Sequence, residues 1–292
     1  AALDRVRNAG AVVGNFEQTV DFNPASGVDQ QTAVGGPDGY VSKYTIDGVY
    51  LWSRVFSGQG SAVVTAVKTA PDGAVYVVGN FDGTIDLDPG AGVVSKTAVG
   101  FQDVFVVKLN GNGGFLWGHA FGGTNPDDVY DVAVDHQGEC VVAGSFQYTV
   151  DFDPGPGTVS RVSSGQRDGF ALKLAGNGAF RWVYTFGNRQ SDDALAVAVD
   201  PERNVYVGGR FSTTVDFDPG PGTTAITVFG VTDACLIGLN PDGLWQWVRA
   251  FGGPSTDGIR DLAVGINGGI IAGGALSGNR DFCPRARVPK PY

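Results

Sequence analysis

An unbroken 65-residue beat, strand-type patterning inside every beat and no sustained helical period predict an all-β chain, folded as a β-propeller. The beat is plainest in one acidic motif: Asp21-Phe-Asn-Pro, Asp86-Leu-Asp-Pro, Asp151-Phe-Asp-Pro, Asp216-Phe-Asp-Pro and Asp281-Phe-Cys-Pro, each 65 residues from the last. Trp52, Trp117, Trp182 and Trp247 keep the same spacing, as do Phe56, Phe121, Phe186 and Phe251. So do Asp38, Asp103, Asp168 and Asp233, while Lys43, Lys108 and Lys173 form a series that ends at Gly238. The 292 residues hold four and a half units.

Each unit reads as four short strands. In the third, VYDVAVD (129–135) alternates, and His136 to Glu139 makes a turn. CVVAGSFQYTVDF (140–152) is a second strand, followed by a loop over 154–169. GFALKLA (169–175) is a third, Gly176 to Gly178 a tight turn, and FRWVYTF (180–186) a fourth. Val, Phe, Tyr and Trp fill the strands, where a pleated surface suits branched and aromatic side chains, and Asn, Gly, Asp and Pro fill the joints. Solenoid repeats are usually shorter, about 20–45 residues, whereas a four-stranded meander is the propeller blade. Residues 1–282 are expected to form one domain, and 283–292 a basic, proline-rich tail that runs over the surface or docks to a partner. A five-bladed ring whose last blade lacks its outer strands is favoured over four blades plus an extra hairpin. The edge of a half-blade invites strand addition from another polypeptide.

Composition narrows the function classes. Thirty acids against twenty bases give a net charge of −10, and Glu occurs only at 17, 139 and 202. The acidity is therefore turn acidity, because Asp favours turns and caps. Such a surface repels nucleic-acid phosphates, and no nucleic-acid partner is expected. No run approaches the ~18 apolar residues of a membrane span. Cys140, Cys235 and Cys283 lack metal or haem spacing and read as small apolar fillers.

Three segments carry a family resemblance. AVAVDPERNVYVGGRF (196–211) and AVKTAPDGAVYVVGNF (66–81) are one, DVFVVKLNGNGG (103–114) the second and WGHAFGGTNPDD (117–128) the third. Together they resemble the bacterial SBBP-type β-propeller repeat, and nearly the whole chain shares the likeness. The resemblance implies blade architecture and a secreted, periplasmic or cell-surface bacterial protein, and it implies no defined activity. The chain departs from that pattern in placing DFDPGPG where the family has a shorter segment, so no role for that loop carries over.

Blade topology puts the second-to-third loops and the blade-to-blade connections on one face of the disc. The loop acids Asp86, Asp88, Asp151, Asp153, Asp216 and Asp218 form candidate calcium sites, since a D-x-D pair on a kinked loop can aim hard oxygens at one point. The same acids suit Asx-turns, where the carboxylate accepts backbone N–H groups. Asp127, Asp192 and Asp257, in the connections, are expected to ring the channel mouth as partner-binding acids or to cap strand entries. The tryptophan series reads as inter-blade packing. Trp245 stands outside that series and is a candidate sugar-stacking ring. His119 and His136 are not spaced as a metal pair, and familiar catalytic motifs are missing. Few residues break the repeat, Gly238 and Cys283 being the ones that stand out. The expected function is a non-enzymatic secreted or surface module that binds a protein or glycan partner, with calcium as a candidate stabiliser. The alternatives are a polysaccharide-acting enzyme using face carboxylates and a structural subunit of a larger extracellular assembly.

Overall fold

A computed structural model describes residues 2–4, 9–265 and 267–277, with side chains from 9 onward. Cys283 and the 283–292 tail lie outside the described residues. The first blade holds β1 (Ala2–Asp4), β2 (Ala9–Phe16), the short pair β3 (Thr19–Asp21) and β4 (Gln30–Thr32), then β5 (Asp38–Thr45) and β6 (Tyr50–Phe56). The second holds β7 (Ala62–Thr69), β8 (Val75–Phe81), β9 (Thr84–Asp86), β10 (Ser95–Thr97), β11 (Asp103–Leu109) and β12 (Phe115–Phe121). The third holds β13 (Asp128–Val134), β14 (Cys140–Phe146), β15 (Thr149–Asp151), β16 (Ser160–Val162), β17 (Asp168–Leu174) and β18 (Phe180–Phe186). The fourth holds β19 (Asp193–Val199), β20 (Val205–Phe211), β21 (Thr214–Asp216), β22 (Ala225–Thr227), β23 (Asp233–Leu239) and β24 (Trp245–Phe251). A half-blade of β25 (Gly258–Val264) and β26 (Ile270–Ala275) follows.

Each full blade is an antiparallel four-stranded sheet, in the third β13-β14-β17-β18, and the protein is a β-propeller by this repetition. The expected second strand, 140–152, is shorter and interrupted. It stops at Phe146 because Tyr148 takes a left-handed backbone (φ 57), and β15 then leaves the blade to pair with β16. Gln18, Gly83 and Thr213 hold positive φ at the same step of their units, so each of the four full blades carries a small hairpin on its second-to-third connection. The expected 154–169 loop thus contains a strand that the sequence reading missed.

Burial follows strand order. β8, β11, β14 and β17 are buried along their whole length, as middle strands of blades stacked face to face must be. Apolar clusters fill the junctions between successive blades: Phe146, Phe152 and Phe170 pack with Val104 and Val106, and Phe211 and Phe217 with Val141 and Phe186. Cys140 and Cys235 lie inside these clusters as free thiols, and burial pushes Cys140 up to about 12. The extensive contacts run from each blade to its successor, through β2 and β7, β7 and β13, β13 and β19, β19 and β25.

The tryptophans tie these junctions. Trp52 Nε1 donates to Gly111 O (3.3 Å), Trp117 Nε1 to Gly176 O (3.0 Å) and Trp182 Nε1 to Pro241 O (3.0 Å), each time reaching the third-to-fourth turn of the next blade. Gly113, Gly178 and Gly243 in those turns have φ of 78, 86 and 78°, and each lies against the ring of the preceding blade's tryptophan. A side chain there would be strained in backbone and would strike the indole.

Candidate functional site

The hairpin acids are engaged in turns. Asp151 Oδ1 accepts the N–H of Asp153 (3.1 Å) and of Val159 (2.8 Å), and Asp153 Oδ1 accepts the N–H of Gly155 (2.8 Å). Asp86 and Asp88 bond Asp88, Val94 and Gly90 in the same way, and Asp216 and Asp218 bond Asp218, Thr224 and Gly220. In the first blade Asn23 Oδ1 accepts from Ala25 N (3.0 Å), so a neutral oxygen serves the same turn. What this position requires is an acceptor, which is the Asx-turn role. Among the described residues, no three or more of His, Cys, Asp and Glu are grouped to hold a metal ion.

The connection acids are interior. Asp127, Asp192 and Asp257 are each 1% exposed or less. Asp127 Oδ2 accepts Gly123 N (2.7 Å) and its Oδ1 accepts Gln147 N (2.9 Å). Asp192 bonds Asn188 N (2.7 Å) and Ser212 N (2.6 Å), and Asp257 bonds Gly253 N and Ser277 N, both 2.5 Å. Asp127 and Asp192 therefore fasten a blade connection to the start of their own blade's hairpin, and Asp257 fastens its connection to the segment that follows β26. Burial, resisted by these bonds and reinforced by neighbouring Asp103 or Asp168, raises Asp127 and Asp192 to about 7. Trp245 is half-buried against the fourth blade's core and occupies the aromatic position of Tyr50, Phe115 and Phe180, a series the sequence reading missed.

A different place gathers the departures from the repeat. Between blades 3 and 4, on the face opposite the hairpins, lies a crevice of about 390 Å³ lined by Gln137, Glu139, Lys173, Arg181, Trp182 and Arg203, with Pro241 and Asp242 at its lip. Glu139 stands where the other units have Ala74, Asn204 and Gly269. Arg181 stands where they have Leu51, Leu116 and Gln246, and Arg203 where they have Gly73, Gly138 and Gly268. Those three glycines hold φ of 85, 74 and 76°, and Arg203 holds 70° without glycine's freedom. A non-glycine residue in that region costs on the order of 1 kcal/mol.

The guanidinium uses this backbone to reach across the junction. Arg203 Nη2 meets Glu139 Oε2 (3.1 Å), and its Nη1 donates to Gln137 Oε1 (2.8 Å). Arg181 holds Glu139 Oε1 through Nε and Nη2, both at 2.9 Å. Lys173, 1% exposed, lies 3.2 Å from Asp135 Oδ2 and 3.1 Å from Glu139 Oε2. Burial works to raise Asp135, but the Glu139 N–H and Lys173 outweigh it and hold the carboxyl below its ordinary value. The departures that stand out in the sequence, Gly238 and Cys283, do not include Glu139, Arg181 or Arg203. The available signal was positional: an arginine at a turn step that glycine otherwise fills.

No family model matches the chain. Two curated proteins are similar to it. The regulatory protein FlaEY of Caulobacter vibrioides is 27% identical over 270 residues, covering 91% of this chain and 26% of that protein. An uncharacterized WD repeat-containing protein of Acanthamoeba polyphaga mimivirus is 23% identical over 234 residues, covering 70% of this chain and 17% of that protein. The chain thus spans about a quarter or less of the relatives it matches.

Proposed function

We propose that this propeller is a non-enzymatic binding module whose partner is a protein that docks over the crevice between blades 3 and 4. The carrying observation is convergence: Glu139, Arg181 and Arg203 leave the repeat pattern in separate strands and turns and meet at one polar opening. A rigid scaffold with one differentiated junction suits recognition, although fold alone does not dictate function. The similarity to a protein described as regulatory and to another described by its WD repeats supports a binding role. A secreted, periplasmic or surface location is part of the proposal and rests on the SBBP-type resemblance.

A second contact is favoured at β26. Its counterpart β14 is buried throughout, whereas Ile271 in β26 is 66% exposed. Among the described residues, β25 is the strand paired with β26, and the added contact proposed is a partner strand laid along the other side of β26. The module reading is tested by affinity capture with the wild-type protein and with the Arg181→Leu, Arg203→Gly double variant, followed by identification of what each retains. A protein held by the former and released by the latter, with both forms melting alike, is the expected result. Equal retention of every captured protein would sink the crevice as the docking site.

A further inference from the structure

The crevice between blades 3 and 4 is short of acceptors and has donors to spare. Its two inner carboxylates are saturated. Asp135 Oδ1 accepts the N–H groups of Gln137 (3.0 Å) and Glu139 (2.9 Å), and its Oδ2 faces Lys173 and Arg203. Glu139 divides its oxygens between Arg181 on one side and Lys173 with Arg203 on the other. Three cations therefore converge on two acids.

The part of the surplus that reaches the opening lies on Arg181. Arg203 Nε lies 3.2 Å from Asp135 Oδ2 but off the line of a hydrogen bond, and this buried N–H has no acceptor among the described residues. The Arg181 side chain is 55% exposed, and its Nη1 is not spent on Glu139. Asp242, at the lip, is the ordinary turn residue that Asp47, Asn112 and Asn177 match elsewhere, and it forms no ion pair with any of the three cations. The indole of Trp182 is already committed, with Gly243 against its ring and its N–H on Pro241 O, so it offers little to a stacking sugar.

We propose that this crevice takes a carboxylate presented by a partner protein, from an acidic residue or a free C-terminus, held between the Arg181 and Arg203 guanidiniums. A guanidinium grips a carboxylate through paired, charge-assisted N–H bonds. The inference rests on the binding-module reading and names the chemistry of its ligand.

The test is calorimetric titration of the intact protein at low salt with an acetylated, amidated Gly-Glu-Gly peptide. The matched Gly-Lys-Gly peptide, glucuronate and inorganic phosphate are run alongside. The glutamate peptide should saturate the protein and the lysine peptide should not. Arg181→Leu installs the residue of blades 1 and 2 on an exposed strand position, and Arg203→Gly restores the ordinary turn glycine. Each should weaken the glutamate peptide by about tenfold or more, the loss expected for one charge-assisted hydrogen bond, with circular dichroism showing the fold retained. Absence of saturation, or unchanged affinity in both variants, overturns the proposal. Tighter binding of glucuronate or phosphate than of the peptide overturns it in favour of a sugar acid or phosphate ligand. A captured partner lost in the double variant while the glutamate peptide never binds would overturn the carboxylate assignment and leave the module reading standing.

Discussion

The junction between blades 2 and 3 and the junction between blades 3 and 4 are built from the same repeat steps and held in different ways. At the first, the Tyr76 hydroxyl donates to Gly138 O (2.5 Å), Lys108 Nζ donates to Gly176 O (2.9 Å), and the ammonium lies 4.9 Å from the centre of the Tyr76 ring. At the second, Val141 replaces the tyrosine, Arg203 replaces the turn glycine, and the lysine turns to Asp135 and Glu139. A buried ring and single carbonyl contacts close the one; ions and an opening occupy the other. A propeller can thus gain a site by exchanging a few residues at one junction while the blades themselves stay alike.

The sharpest way to break this comparison is to remove Glu139. Glu139→Ala leaves Lys173 buried with Asp135 alone, frees the Arg181 guanidinium and reduces Arg203 to Gln137 and Asp135, so denaturant unfolding should show a loss of about 2–4 kcal/mol. Tyr76→Phe, at the other junction, deletes one buried hydrogen bond and should cost about 1–2 kcal/mol by the same measurement. If the tyrosine change proved the more damaging, the charged network would be a surface ornament and the contrast would fail.

Titration separates the hairpin face from the crevice. Asp127 and Asp192 have raised values in the folded protein, so the folded state holds their protons more tightly than the unfolded state does. Stability from this source is fully present below the ordinary carboxylate value of 3.8 and is lost as pH rises through about 7. Asp135 is shifted the other way: its contribution is present above the ordinary value of 3.8 and is lost as pH falls through its lower folded value. Melting temperature should therefore decline between pH 5 and pH 8 by an amount on the order of a few degrees, and Asp127→Asn should flatten that slope. The smallest expected effect is that of a chelator. Because the hairpin carboxylates already accept their own loops' N–H groups, the melting temperature should not move with chelator or added calcium, and a rise with calcium would restore a metal role for Asp151 and Asp153.

How much of this was legible in the sequence depended on whether the repeat or its exceptions carried the information. The spacing of Trp52, Trp117 and Trp182 located the blades, and the fourth strand of the third unit runs from Phe180 to Phe186 as its patterning indicated. The second strand was read too long, because Gln147 to Asp151 alternates like a strand while the left-handed turn at Tyr148 depends on the hairpin folding outward. The connection acids were placed on the correct face, yet their depth was not readable, since burial comes from the next blade. The crevice was least legible. Glu139 lies 42 residues from Arg181 and 64 from Arg203, and each alone resembles an ordinary surface charge.

The tryptophan bonds give the molecule a direction. Each spans 59 residues forward, from one unit's outer strand to a carbonyl in the next unit, so a blade's rim is completed by its successor. Damage should accordingly propagate backward along the sequence: disturbing the turn at Gly176 loosens the rim of the unit before it sooner than that of the unit after it. In a quasi-one-dimensional array the coupling between neighbours then belongs to ordered pairs, and exchanging two blades would alter the junctions on both sides of each.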